Sequence, residues 1–190
     1  MPELIDHLEK RLGCMLGAWS PSGGAASGAP PVACFRGGRI AGVQGFATIG
    51  LFGAALRHPT TGRHFHLELL ALEYDRRPTG YGFFPQVLEH VAERLLASGT
   101  AVLRGDVVPL PSPLPGGVMT ALYAALPVYF DNDFASLAIE NGSDVAIVWL
   151  IPITREESVF IHAHGWKSFE ESLTRQDPDL LDINRPPLHF

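Results

Sequence analysis

Lysine and cysteine are both scarce, with two of each among 190 residues. Cys14 and Cys34 stand twenty positions apart with no CxxC pair, which excludes a cysteine-rich zinc or disulfide framework. A single Cys14–Cys34 bridge stays open, but a chain of this length buries about 70% of its unfolded surface and needs no staple. Long apolar runs are missing too. The nine-residue stretch Val145–Ile153 is too short to cross a bilayer as a helix. The N-terminus has no basic segment followed by an apolar one, so no export signal is expected and the chain reads as cytoplasmic and soluble, with no membrane partner. Asn141-Gly142-Ser143 fits a glycosylation sequon, a match that means little without export. Basic charge is sparse where it would matter for nucleic acid. Residues 1–104 carry ten Lys and Arg against eight Asp and Glu, whereas residues 105–190 carry four against twelve, within a net charge of −6. That acidic second half disfavours the phosphate contacts on which nucleic-acid binding depends. Catalytic signatures are absent as well: there is no P-loop, nucleophile elbow, dinucleotide fingerprint, HExxH or zinc spacing. No cofactor is expected.

What is present describes one ordinary globular domain over residues 1–190. Hydrophobic residues make up 46% and charged ones 18%, ample for a packed core. Gly and Pro are abundant, at 20 and 16 residues. They gather in a flexible loop at Ser20–Pro31 (residues 20–31), in Pro109–Gly117 and in the tail, so they mark connections. Leu4, Leu8, Leu12, Met15 and Leu16 recur at helical spacing and predict a helix to about Leu16, stopping near Gly17. Val43–Phe52, His64–Tyr74, Asp106–Leu110, Met119–Phe130 and Val145–Ile153 read as strands, the last apolar on both faces and therefore central. Phe83–Ala97 reads as a helix ended by Ser98-Gly99. Thr154-Arg-Glu-Glu157 has the form of a capping box opening a helix to His164, with Gly165 beyond it and a second short helix around Trp166, Phe169 and Leu173. Interspersed strands and helices without strict alternation predict a mixed α/β (α+β) domain, a twisted mixed sheet packed against helices.

Four constellations offer chemistry. His64, His66 and Glu68 share one strand face and could supply three metal ligands, as a metal-dependent enzyme would need; the alternative is a polar outer face. His162 and His164 lie about 200° apart around a helix and cannot chelate one ion together. Asp131-Asn132-Asp133 has a DxD form, but a capped turn explains it without a phosphate loop. Glu156-Glu157 and Glu170-Glu171 fall in first turns or on outer faces of helices, where acids favour the dipole and the solvent. These residues do not indicate a catalyst. A non-enzymatic binding module is the expected class.

The segment Leu150-Ile-Pro-Ile-Thr-Arg-Glu-Glu-Ser-Val-Phe-Ile161, with His164-Gly165-Trp166, resembles the C-terminal part of the Suppressor-of-Fused-like domain. Thr48-Ile49-Gly50, His66-Leu67-Glu68-Leu69-Leu70, Gly105-Asp106-Val107-Val108 and Leu126-Pro127 follow the order of that family's earlier strands, so the likeness covers about residues 40–187. The resemblance implies a mixed α/β fold and a protein-binding role. Its eukaryotic members sequester a transcription factor, and stand-alone bacterial relatives include immunity proteins that neutralise a cognate toxin. A protein partner, such as a basic toxin domain, would be steered by acidic residues of the second half. The expected contacts are Asp131, Asp133, Glu156, Glu157, Glu170 and Glu171. A scaffold that works through its Ser20–Pro31 or Pro-rich loop is the other binding reading.

Overall fold

A computed structural model describes residues 2–20, 28–76, 82–139 and 144–190. Most of the expected Ser20–Pro31 loop and the Asn141–Ser143 sequon lie outside the described residues. The fold is mixed α/β, with nine strands and three helices among the described residues. In chain order these are α1 (Pro2–Leu12), β1 (Gly13–Trp19), β2 (Val32–Gly37), β3 (Val43–Thr48), β4 (Leu56–Arg57), β5 (His64–Tyr74) and α2 (Phe84–Ser98), followed by β6 (Val107–Pro109), β7 (Met119–Ala125), β8 (Ser136–Ala138), β9 (Asp144–Thr154) and α3 (Arg155–Gln176). No helix of the described residues is long and apolar enough to cross a membrane.

The chain divides into two compact units, Met1–Val102 with Leu126–Trp149, and Leu103–Ala125 with Leu150–Phe190. In the first, strands run in the order β1-β2-β3-β5-β9, with β4 beside β5 and β8 beside β9. Neighbours are antiparallel except β5 and β9, which pair in parallel from His66↔Val145 to Leu70↔Trp149. In that inner pair β9 is apolar on both faces, with Val145, Ile147 and Val148 buried, as its sequence predicts, whereas β5 buries Leu67, Leu69 and Leu70 together with the polar Glu68. Helix α2 packs on β2, β3 and β5 through Phe84, Leu88 and Val91, and the Phe84 ring lies 6.1 Å from that of Phe46. Helix α1 buries Leu4, Leu8 and Leu12, one stripe at i, i+4, i+8.

The sequence expectation for α1 ran too far. The helix stops at Leu12, and Cys14, Met15 and Leu16 lie in β1. Gly13 comes so close to β2 that a Cβ there would stand 2.1 Å from the Arg36 carbonyl oxygen, and the chain turns at that contact. Cys14 is consequently exposed on a strand, not packed in a helix, while Cys34 is buried, and both are free thiols. Two expected strands are also shorter. The segment from Val43 leaves the sheet after Thr48 into a single 3-10 turn at Leu51–Gly53, and that from Met119 ends at Ala125.

In the second unit β6 and β7 pair antiparallel from Val107↔Tyr123 to Pro109↔Ala121. Helix α3 packs on β7, its Phe169 ring meeting Tyr123 edge-on at 4.9 Å. The capping box at Thr154 is present as predicted: the Thr154 hydroxyl accepts from the Glu157 N–H at 3.2 Å, and the Glu157 carboxylate accepts from the Thr154 N–H at 2.9 Å. Gly165, at φ 83°, breaks α3 into two segments at the position the sequence marks.

Candidate protein-binding surfaces

The six acidic residues expected to meet a partner fall into two kinds. Asp133, Glu156 and Glu171 are exposed, Asp133 in the 3-10 turn Asn132–Ala135 and the other two on α3. The remaining three, of which Asp131 is exposed too, accept from donors of the fold. Asp131 accepts from the Arg11 guanidinium at 2.9 Å and from Arg39, and these two, Arg11 foremost, hold its carboxyl below the usual range. Glu170 accepts from both Arg104 and the Tyr123 hydroxyl, the latter at 2.8 Å. Glu157 is wholly buried, and the expectation that it meets a partner is corrected here. Its carboxylate is occupied by Arg185 at 2.7 and 2.8 Å, by the Leu188 N–H at 3.0 Å and by the helix cap. An ionised carboxylate stays in an apolar interior only when so paired.

The strand-face trio does not form a ligand set. His64 is exposed, His66 directs Nδ1 at the Phe52 carbonyl oxygen 2.6 Å away, and Glu68 is fully buried. Among the described residues no three His, Cys, Asp or Glu side chains gather as a metal would require. Glu68 instead holds the turn that follows β3. It accepts from the Thr48 hydroxyl, from the Gly50 N–H at 2.7 Å and from the Phe52 N–H at 3.3 Å. Burial pushes its carboxyl up to about 7, although each of these donors pulls the other way.

The first segment of α3 presents a second surface that the sequence reading did not single out. Arg155, Ser158, Val159, His162 and Ala163 recur at i, i+3, i+4, i+7 and i+8, one helix face, and with Pro109, Thr120 and Ala121 they line an open groove of about 610 Å³. Val159, 60% exposed, is the large aliphatic side chain of that face. The signal was available in the sequence. Val159 sits on the same helical stripe as Arg155 and His162, whereas the buried Ile161 lies on the opposite side.

The sequence matches the family model of the Suppressor of fused protein (SUFU) over residues 32–186. The chain belongs to the SUFU family. Solved structures agree on the fold at low sequence identity. A SUFU homologue from Neisseria gonorrhoeae FA 1090 superposes with a TM-score of 0.76 at 17% identity, over 98% of this chain and 94% of that one. A chain of a Sufu–Fu complex crystal structure gives 0.68 at 13% identity, over 93% and 83%. Drosophila Suppressor of Fused gives 0.64 at 13% identity, over 94% of this chain and 47% of that one, so this SUFU-family chain spans about half of the Drosophila protein. No curated protein matches the chain in sequence.

Proposed function

We propose that this chain is a non-enzymatic protein-binding domain, and specifically an immunity protein that binds and neutralises a cognate bacterial toxin in the cytoplasm. The observation that carries the binding role is SUFU-family membership over most of the chain, joined to a relative solved in complex with a protein, Fu. The toxin reading draws support from the likeness to a bacterial SUFU homologue of nearly the same length and from the acidic balance of the second half. Of the expected contacts, Asp133, Glu156 and Glu171 have carboxylates exposed to meet a basic partner, and such charges act mainly on the rate of encounter.

The test is to identify a secreted toxin encoded beside this gene and to express its toxic domain in bacteria with and without this chain. Co-expression is expected to restore growth. Charge reversal by Glu156→Lys with Glu171→Lys should slow association with the purified toxin domain by about tenfold at low salt, and by less as salt rises. An unprotected strain would sink the immunity reading, and an unchanged association rate would sink the acidic contact face.

A further inference from the structure

The groove beside α3 has the wrong charge for the partner just described. Arg155 stands at its start and His162 seven residues on, about 10 Å along the helix axis, with the exposed Val159 between them. Arg155 has no ion pair among the described residues, so its guanidinium is available to a visitor. His162 lies with Nδ1 2.7 Å from the Ser158 carbonyl oxygen, which fixes that nitrogen as the proton donor and leaves Nε2 facing outward. Ser158 and Thr120 add hydroxyls, while Pro109, Ala121 and Ala163 keep the floor and walls small and apolar. The groove volume falls within the roughly 300–1,000 Å³ in which proteins hold small ligands and side chains.

The geometry points to a docking site for a short extended peptide segment of a partner protein that carries an aliphatic side chain flanked by carboxylates. In an extended chain residues i, i+2 and i+4 share one face and span about 13 Å, enough to reach from Arg155 past Val159 to His162. On the face turned to the groove an acidic side chain would pair with the Arg155 fork and the aliphatic one two residues on would cover Val159 and the small apolar walls. A second acidic one would accept from Nε2 of His162 in the doubly protonated form of the ring, since the neutral ring offers only a lone pair there. In a chain of net charge −6 an acidic visitor is repelled in general, so affinity for one would have to come from this local arrangement. The inference rests on the reading of the chain as a protein-binding module but not on its acidic contact face. The assay below uses no intact partner, so its failure and that of the toxin experiment are distinguishable.

Fluorescence anisotropy with labelled Gly-Glu-Ser-Leu-Ser-Glu-Gly, titrated with the full chain at low salt, reads the site directly. Saturable binding is expected below about 1 mM, with the Gly-Lys-Ser-Leu-Ser-Lys-Gly peptide at least about tenfold weaker. Arg155→Glu and Val159→Asp, both exposed and checked for native circular dichroism, should each weaken the acidic peptide by at least about tenfold. Equal binding of the two peptides, equal binding by the variants, or no binding at about 1 mM would overturn the proposal. So would a dimer in sedimentation velocity that Val159→Asp abolishes while the peptide does not bind, because the groove would then belong to a second copy of the chain.

Discussion

A carboxylate buried among apolar strands costs several kcal/mol unless donors surround it, and Glu68 lies between those limits. Its three donors come from Thr48, Gly50 and Phe52, yet desolvation prevails and its carboxyl titrates at about 7 against an ordinary 4.5. The sign of the linkage follows. A raised acid is held neutral in the fold while the unfolded chain already ionises. The stability it contributes is therefore complete below about pH 4.5 and is lost as pH rises through about 7. His7, whose imidazole burial pushes down, works in the opposite direction, so the wild type alone would blur the effect. Glu68→Gln isolates it, because the amide oxygen still accepts from the Gly50 and Phe52 N–H groups while its N–H donates to the Thr48 oxygen, as the O–H of the neutral acid can. Urea unfolding at pH 5 and pH 8 should show the variant gaining on the wild type at the higher pH by up to about 3 kcal/mol. A pH-independent difference would refute the assignment. This residue also measures what a sequence reveals. Alternation in His64–Tyr74 placed Glu68 on the face of His64 and His66, but a spacing of two says nothing about a partner twenty residues away. The likeness to the family quoted Thr48-Ile49-Gly50 and His66–Leu70 as separate pieces, and the Glu68 carboxylate is what joins them.

Short-range chemistry at helix ends was legible because it is short-range. Thr154, Glu157 and Gly165 lie within twelve residues, and both the capping box and the helix break appear where the sequence sets them. The end of α1 was read one glycine late: Gly13, at φ 89°, stops the helix where Gly17 was expected to, and what pins Gly13 is its close approach to the Arg36 carbonyl of a strand still to come. Glu157 shows both sides of this. Its role as the N3 residue could be read from the sequence, while its ion pair with Arg185, which also donates to the Pro152 carbonyl at 3.2 Å, could not. Both partners are almost wholly buried, so removing one leaves the other's charge uncompensated. Arg185→Met is expected to cost about 3–5 kcal/mol in denaturant unfolding, with the double variant Glu157→Gln, Arg185→Met recovering part of that. Should Arg185→Met prove as stable as the wild type, the ion pair would not be what anchors the C-terminal segment to α3.

The fold class was readable from the whole pattern, because strands of period two and helices of period 3.6 leave marks that no single partner has to supply. The division of the molecule was not, because the chain enters each unit twice. It leaves the first after Val102, returns at Leu126, and passes to the second again at Leu150, within β9. Neither unit is a continuous stretch of sequence, and one strand contributes buried side chains to both: Val145, Ile147 and Trp149 to the first, Ile151 and Ile153 to the second. Loss of order in one half of β9 frays the strand at the start of its other half, so the units are expected to unfold together. Tryptophans report on each: Trp19 and Trp149 on the first, Trp166 on the second. With Trp166→Phe as one probe and Trp19→Phe, Trp149→Phe as the other, each fluorescence transition should coincide with the far-ultraviolet circular dichroism of the same protein. Two separated midpoints within one variant would mean that β9 does not couple the units and that each is a thermodynamic domain of its own.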